Sequence, residues 1–335
     1  MRPLIIPIFV LHKGCPNRCV FCNERIAAGD YPDRITADTV RAVCDRHLGE
    51  GGRRFDQIAF YGGSFTGMDP DYQTELLDTA MSYVDAEMVD SIRISTRPDY
   101  IDAERMDLLA RYRVSTVEIG AQSMIDGVLS AAGRGHSSED VRGALRLLKE
   151  AGIQTGVHLM AGLPSDTREG FAYTVEEIIS LRPDTVRIHP TIVFKGTLLE
   201  RAHRSGTYEP LKLDDAVDMC KGALLRFQEA GIPVIRLGLH TTQEMISDGN
   251  IVAGPFHPAF RSLVEGSLFL DMATELLRSS DARRGDVVFS VAPQDVSNLR
   301  GMRNRNIRIL KESFGIPKIS VREDTEQERG SLRII

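Results

Sequence analysis

Short runs of β-branched and aliphatic residues alternate along this chain with longer segments whose apolar residues recur every three or four positions. The runs fall at Leu4 to Leu11, Gln57 to Tyr61, Ser91 to Ser95, Thr116 to Ile119, Ile153 to Met160, Thr185 to Ile192 and Pro233 to Leu237, and they have the length and composition of buried strands. The segments between them read as helices. The sharpest opens at Ser137 with Asp140 three residues on, carries Val141, Ala144, Leu145 and Leu148 on one face, and closes at Gly152, a start and stop with known capping chemistry. Thr36 to Leu48, Tyr72 to Val84, Ala103 to Tyr112, Thr167 to Leu181 and Asp214 to Ala230 follow the same period. Strand, helix, strand, repeated without interruption, requires a parallel sheet with its helices outside. The expected fold is α/β, an open or closed barrel rather than a flat sheet. The alternation breaks after Asn250, which divides the chain into a barrel at 1–250 and a small α/β extension at 251–335.

Composition narrows the class. With 335 residues, 42% hydrophobic and 26% charged, the chain can bury a large core without disulfides, and collagen-like, disordered and disulfide-framework classes are excluded. A net charge of −6 argues against a surface that grips nucleic acid all round, and leaves room for a local basic patch. Leu4 to Leu11 is eight residues long, contains Pro7 and has no small-residue cleavage site after it, so it does not read as a secretory leader. No stretch reaches the roughly 18 apolar residues that span a bilayer. A cytoplasmic protein without a membrane partner is expected, in which thiols stay reduced and clustered cysteines bind metal more often than they form bridges.

In such barrels chemistry sits on loops at the C-terminal ends of the strands. Here the first such loop is Gly14-Cys15-Pro16-Asn17-Arg18-Cys19-Val20-Phe21-Cys22, the second Gly62-Gly63-Ser64-Phe65-Thr66, and the fifth contains Gly162-Leu163-Pro164. Cys15, Cys19 and Cys22 have the spacing C-x3-C-x2-C, which puts three thiols on one short loop. Cys44 and Cys220 lie in helical patterns and read as small buried residues. Three ligands are informative, because structural zinc and electron-transfer clusters take four, whereas three cysteines on a [4Fe-4S] cube leave one iron open. Unrelated loop thiols, or zinc completed by His12, are the alternatives.

The C-x3-C-x2-C loop, with Phe21 just before its last cysteine, resembles the hallmark of the radical S-adenosylmethionine (SAM) enzymes, and the resemblance runs from about Ile5 to Leu239. It implies a partial (β/α)6 TIM-like barrel with a [4Fe-4S] cluster on Cys15, Cys19 and Cys22. It further implies SAM bound to the open iron, reductive cleavage to a 5′-deoxyadenosyl radical, oxygen sensitivity, and a one-electron donor such as flavodoxin or ferredoxin. Gly62, Gly63 and Ser64 resemble the motif whose backbone meets the methionine amine. Gln122 and Arg134 match polar positions that contact SAM in the oxygen-independent coproporphyrinogen dehydrogenase group. His158 stands at a position that is acidic in that group, and Ser95 where an acidic ribose-holding residue is frequent, so simple coproporphyrinogen chemistry is not expected. Ser95, Glu118, Gln122, Arg134 and His158 join the glycine motif as cofactor-site candidates.

A closer resemblance is to the radical SAM part of the elongator catalytic subunit family, through Phe9-Val10-Leu11-His12, Ser95-Thr96-Arg97-Pro98-Asp99-Tyr100, Val117-Glu118-Ile119-Gly120-Ala121-Gln122-Ser123 and Lys195-Gly196-Thr197-Leu198-Leu199. That family modifies transfer RNA uridines with an acetyltransferase domain fused behind the barrel. Nothing of acetyltransferase length follows here, so radical chemistry is expected without the acetyl transfer. Each match has a structural alternative. Glu118 on a strand can pair with a barrel arginine, His12 and His158 can be satisfied core groups, His189 and His240 more so, and Arg97 before Pro98 can brace its loop.

The extension carries a separate signal. Residues 278–311 hold eight basic side chains against three acidic ones, a local excess that suits an anionic partner, possible RNA among them. Asp286 to Ala292 reads as a strand, Gly301-Met302-Arg303-Asn304 as a loop, Ile307, Leu310 and Phe314 as one helix face, and Lys318 to Val321 as a second strand. The order resembles a degenerate KH half, in which a G-x-x-G loop clamps a nucleic-acid backbone, with Asn304 in place of the second glycine. The structural alternative is a cap on the open barrel with a solvated arginine face. Two functions follow from different classes: RNA modification, or modification of a small molecule or peptide in anaerobic metabolism. A non-catalytic iron-sulfur protein leaves the glycine-rich loops unexplained.

Overall fold

Seven parallel strands lie side by side in chain order: β1 (Ile5–Phe9), β2 (Phe55–Tyr61), β3 (Val89–Thr96), β4 (Val114–Gln122), β5 (Gln154–Ala161), β6 (Thr185–Pro190) and, after the two-residue β7 (Val193–Phe194), β8 (Val234–Leu237). The computed structural model describes residues 4–11, 13–29, 32–49, 54–247, 249–279 and 285–335. His12, Arg283 and Arg284 lie outside them. Each apolar run of the sequence becomes one of these strands, so the curled half-barrel of radical SAM type holds a seventh strand beyond the six βα repeats. Its ends, β1 and β8, are not paired with each other, which leaves the barrel open.

The two faces of the sheet are chemically opposite. Ile58 and Phe60 on β2, Ile92 and Ile94 on β3, Val117 and Ile119 on β4, Val157 and Leu159 on β5, and Val186 and Ile188 on β6 are all essentially buried, in one core with Val40, Leu76, Leu109, Leu145, Ile178 and Phe227 of the surrounding helices. The alternate positions, Gln57, Arg93, Glu118, His158 and Arg187, bond to one another across the inner face. The period of two thus puts hydrocarbon outside, against helices, and charge inside. The helices run where the 3.6-residue period places them, at Ala37–Leu48, Pro70–Asp85, Ala103–Arg111, Ser138–Glu150, Arg168–Leu181 and Leu213–Glu229. Ser137 and Asp140 form the reciprocal capping box that their spacing implies.

Beyond the barrel, β9 (Ile251–Ala253) pairs antiparallel with β7. A 20-residue helix, Phe260–Ser279, then crosses between two cores. Phe260 and Val264 belong to the barrel core, while Phe269, Ala273 and Leu277 belong to a second core with Phe289, Val291, Leu299 and Leu310. The second unit is a three-stranded sheet in the order β11 (Ile319–Glu323), β10 (Val287–Val291), β12 (Leu332–Ile334), with β10 and β11 parallel. Between β10 and β11 run helix Val296–Arg300, the loop from Gly301 and helix Arg305–Phe314. No helix among the described residues is long and apolar enough to cross a membrane.

Candidate cluster and cofactor site

The cysteine loop leaves β1 and is clamped to the loop after β2 through bare backbone. Val10 N donates to Tyr61 O and Ser64 N to Lys13 O, each at 2.7 Å. A Cβ on Gly14 would lie 2.0 Å from Ser64 O, and one on Gly63 would lie 2.4 Å from Lys13 O. Both glycines also have positive φ, +72° and +44°, so neither position tolerates a side chain. Ser64 is fully buried in this seam, its Oγ 3.4 Å from Cys15 Sγ. Glu24, the first residue of helix Glu24–Ala28, accepts a hydrogen bond from Gly63 N at 2.8 Å. Glu24 escaped the sequence reading, although its place two residues after Cys22 was the available signal.

The thiols are electrostatically coupled. Burial pushes the Cys15 thiol up, the charges of Glu24 and Cys19 push the same way, and the Ser64 hydrogen bond and Arg134 oppose them. Cys22 is raised further, first by burial and then by Glu24, Cys19 and Cys15. Thiols raised in this way beside a carboxylate are held as thiolates by a cationic centre that joins them. Among the described residues no three Cys, His, Asp or Glu side chains gather as ligands of a single ion. A cube whose irons each take one sulfur does not need that convergence.

Arg134 reaches the same place from the loop after helix Asp126–Ala131. Its Nη1 donates to Cys19 Sγ at 3.1 Å and its Nη2 to Gly120 O at 2.6 Å. Gly120 makes room for this, because a Cβ there would lie 2.9 Å from Gln122 Nε2 and 3.1 Å from Arg134 Nη2. Gln122 sits at φ +71°, where the β4–β5 register shifts, so the strand end is bent to bring these side chains together. Three buried nitrogens nearby have no partner among the described residues: Arg134 Nε, Arg97 Nη1 and His136 Nδ1. Arg97 spends its Nε and Nη2 on the two oxygens of Asp99, both at 2.9 Å. His136 Nε2 lies 3.2 Å from Ala121 O, and burial, with Arg134 and Arg97 next to it, lowers its pKa to about 4. Orphaned buried polar atoms of this kind are rare and costly. His136 was not singled out in the sequence, and Arg97 was read there as a brace for its loop, so its unpartnered Nη1 became visible only in the fold.

Glu118 and His158 lie in the barrel lumen instead, and their bonds among the described residues run to each other and to lumen arginines. Arg93 and Arg187 donate to Glu118 Oε1, the latter at 2.6 Å, and His158 Nε2 is 2.7 Å from Oε2. Burial alone would raise the Glu118 carboxyl, but the His158 hydrogen bond and the charges of His158, Arg187 and Arg93 hold it well below the usual carboxylate range. Gly156 gives the side chain space, since a Cβ there would lie 3.0 Å from Glu118 Cγ. Arg187 also donates to Tyr61 Oη at 3.2 Å and covers its ring. His189, in edge contact with His158, is kept neutral by burial and the nearby charges of His158, Arg187 and Arg236, with its pKa lowered to about 3. Ser95 is the register partner of Glu118 and makes no side-chain hydrogen bond among the described residues. Cys44 and Cys220 are fully buried in helices, away from this chemistry.

Three cysteines on the loop at the C-terminal end of the first strand of an open parallel half-barrel put the candidate chemistry at the mouth of an α/β sheet. Residues 9–178 match the model of the radical SAM superfamily, and residues 183–269 match that of the Radical_SAM C-terminal domain. The chain belongs to the radical SAM superfamily, and it is an enzyme. A tRNA uridine(34) acetyltransferase of Methanocaldococcus jannaschii is 27% identical over 256 residues, 64% of this chain and 47% of that protein. Elongator complex protein 3 of Schizosaccharomyces pombe is 27% identical over 190 residues, 50% of this chain and 35% of that protein. The chain therefore spans about half the length or less of these curated relatives. The solved structure of archaeal Methanocaldococcus infernus Elp3 aligns with a TM-score of 0.62 at 23% identity, over 86% of this chain and 67% of that one, and supports the fold.

Proposed function

We propose that this protein is a radical SAM enzyme that modifies RNA, with a [4Fe-4S] cluster on Cys15, Cys19 and Cys22. The observation that carries the reading is the guanidinium of Arg134, whose N–H donors include Nη1 on Cys19 Sγ and a buried Nε with no partner among the described residues. The carboxylate of SAM suits those donors, and its amine suits the glycine seam of Gly62, Gly63 and Ser64. When bound, cluster and SAM together supply reductive cleavage to a 5′-deoxyadenosyl radical. The chain's own residues do the rest: Gly14 and Gly63 lock the cysteine loop, Gly120 lets Gln122 and Arg134 meet, and the GLP loop buries Leu163 against Val128 and Ala132 beside Phe21, which excludes water from the floor of the site. A cytoplasmic flavodoxin or ferredoxin is the proposed electron source.

RNA as substrate rests on the curated relatives, whose names specify transfer RNA uridine; acetyl transfer is not carried over, because the match covers only part of them. A second reading, a small anionic substrate, is favoured by the polar lumen of Tyr61, His158 and Arg187. The two are separated by supplying reconstituted, reduced enzyme with SAM and deuterium-labelled bulk tRNA under anaerobic conditions. Deuterium in 5′-deoxyadenosine supports RNA modification; cleavage of SAM with no label transferred and no change on adding RNA sinks it. Arg134→Ala should weaken SAM binding at least tenfold while iron content stays at the parental value, and equal affinity would remove Arg134 from the site.

A further inference from the structure

A run of cations on the C-terminal unit stands without partners among the described residues. Arg300, Arg303, Arg305 and Arg308 are exposed, Lys311 is half-buried, and none of the five makes a side-chain hydrogen bond or ion pair among the described residues. Arg305, Arg308 and Lys311 follow one another at i, i+3 and i+6 along helix Arg305–Phe314, so neighbouring charges stand on adjacent turns. Like charges on adjacent turns repel one another, and none of the five is paired with a carboxylate among the described residues. Glu312 is the one acid at the rim of the concavity of about 430 Å³ that Arg303, Asn304, Ile307, Arg308 and Lys311 line. Met302 stands exposed at its tip, giving apolar surface beside the charges.

The loop that carries this face is held rigidly. Asn306 is buried and donates to Gly266 O at 2.7 Å and to Asn298 O at 3.2 Å, tying the loop to the helix that joins both cores. Gly301, at φ +66°, packs so closely on Asn306 that a Cβ would lie 2.8 Å from its amide. Arg303 and Asn304 are also left-handed, at φ 50° and 58°. Binding to such a surface loses little loop entropy.

We propose that residues 300–311 form an RNA-backbone clamp, with phosphates taken by Arg300, Arg303, Arg305, Arg308 and Lys311 and a base resting against Met302 and Ile307. The inference rests on the RNA reading above and places the grip on the substrate in the C-terminal unit, away from the cysteine loop. A polyanion with a regular repeat matches a row of cations at successive turns, and phosphate contacts release counterions and make affinity salt-dependent.

The test compares the full chain with a variant carrying Arg303→Gln, Arg305→Gln, Arg308→Gln and Lys311→Gln. Filter binding to bulk tRNA and to an unstructured RNA is run across salt, and reduced SAM cleavage without RNA is the folding control. The parent should bind RNA, the variant should bind at least tenfold more weakly at low salt, and the slope of log affinity against log salt should fall by roughly one per cation removed. Cleavage of SAM should be equal in both. If the parent binds RNA and the variant binds equally, the clamp is wrong and the RNA reading survives. If the parent binds no RNA at any salt, both fall. If the four residues govern binding to polyglutamate or to phosphatidylserine vesicles as strongly as to RNA, the face is a general anion surface and the assignment to RNA is overturned. A variant carrying lysine in place of Arg303, Arg305 and Arg308 should keep most of the affinity, since the charge is retained; loss of binding there would refute phosphate contacts as its source.

Discussion

Arginines are treated in opposite ways in two parts of this molecule. In the barrel lumen Arg93 and Arg187 close on a single carboxylate, Glu118, which also takes His158, and Gln57 and Tyr61 absorb further donors. On the C-terminal unit Arg300, Arg303, Arg305 and Arg308 face solvent and Lys311 is half-buried, none of them paired with an acid among the described residues. Solvation explains the difference. Removing a charge from water costs several kcal/mol unless partners replace the water, so the lumen must be internally balanced, whereas an exposed cation costs little and needs no partner. A buried charge is therefore evidence about folding, and a row of exposed, unpaired charges is evidence about ligands.

The comparison is easiest to break at its buried end. Glu118→Gln removes the one acid that Arg93 and Arg187 share, and should destabilise the fold by roughly 3–5 kcal/mol, read as a lower denaturant midpoint with little change in slope. A loss below about 1 kcal/mol would mean that the lumen arginines are solvated. Adding Arg187→Gln to that variant should recover part of the loss, with a coupling of roughly 1–3 kcal/mol; strict additivity would show that the two side chains do not act as a pair.

Acid sharpens the same contrast. Native His136 and His189 stay neutral down to about 4 and about 3, whereas the unfolded chain takes up those protons near pH 6.5. The unfolded state thus binds more protons between pH 6.5 and 4, and stability should fall as pH drops through that window. His136→Gln should flatten the fall by roughly 2 kcal/mol between pH 7 and 4, and an unchanged pH profile would contradict a buried neutral His136. The smallest effect belongs to the surface. Arg303→Gln should shift stability by no more than about 0.5 kcal/mol, and a larger loss would reveal a hidden partner.

How much of this was legible from the sequence follows the same division between local and assembled features. The seven apolar runs and the Ser137 capping box depend on neighbours in the chain, and they appear where periodicity puts them. C-x3-C-x2-C is equally local. Glu24 had a local signal in its place two residues after Cys22, whereas His136 and the free end of Arg97 become site groups only when the loops after β3 and β4 converge, and no spacing encodes that meeting. Helix Phe260–Ser279 was missed because its apolar positions serve two cores in turn, so its role is set by what it bridges. The lumen network was half visible, as a carboxylate that could pair with a barrel arginine; its count of two arginines and a histidine needed the register of β3, β4, β5 and β6. The strands, loop and helix of the C-terminal unit lie where the sequence placed them, and the lack of partners for its exposed charges became apparent only with the described residues round them in place.

The central claim is that Cys15, Cys19 and Cys22 hold a cluster on which the rest of the site is built, and iron and sulfide counting tests it most directly. Anaerobically purified and reconstituted parent protein should hold about four irons and four sulfides per chain. The variant with Cys15→Ala, Cys19→Ala and Cys22→Ala should hold essentially none, while Cys44→Ala and Cys220→Ala keep the full complement. A triple variant that retains its iron and sulfide would contradict the account.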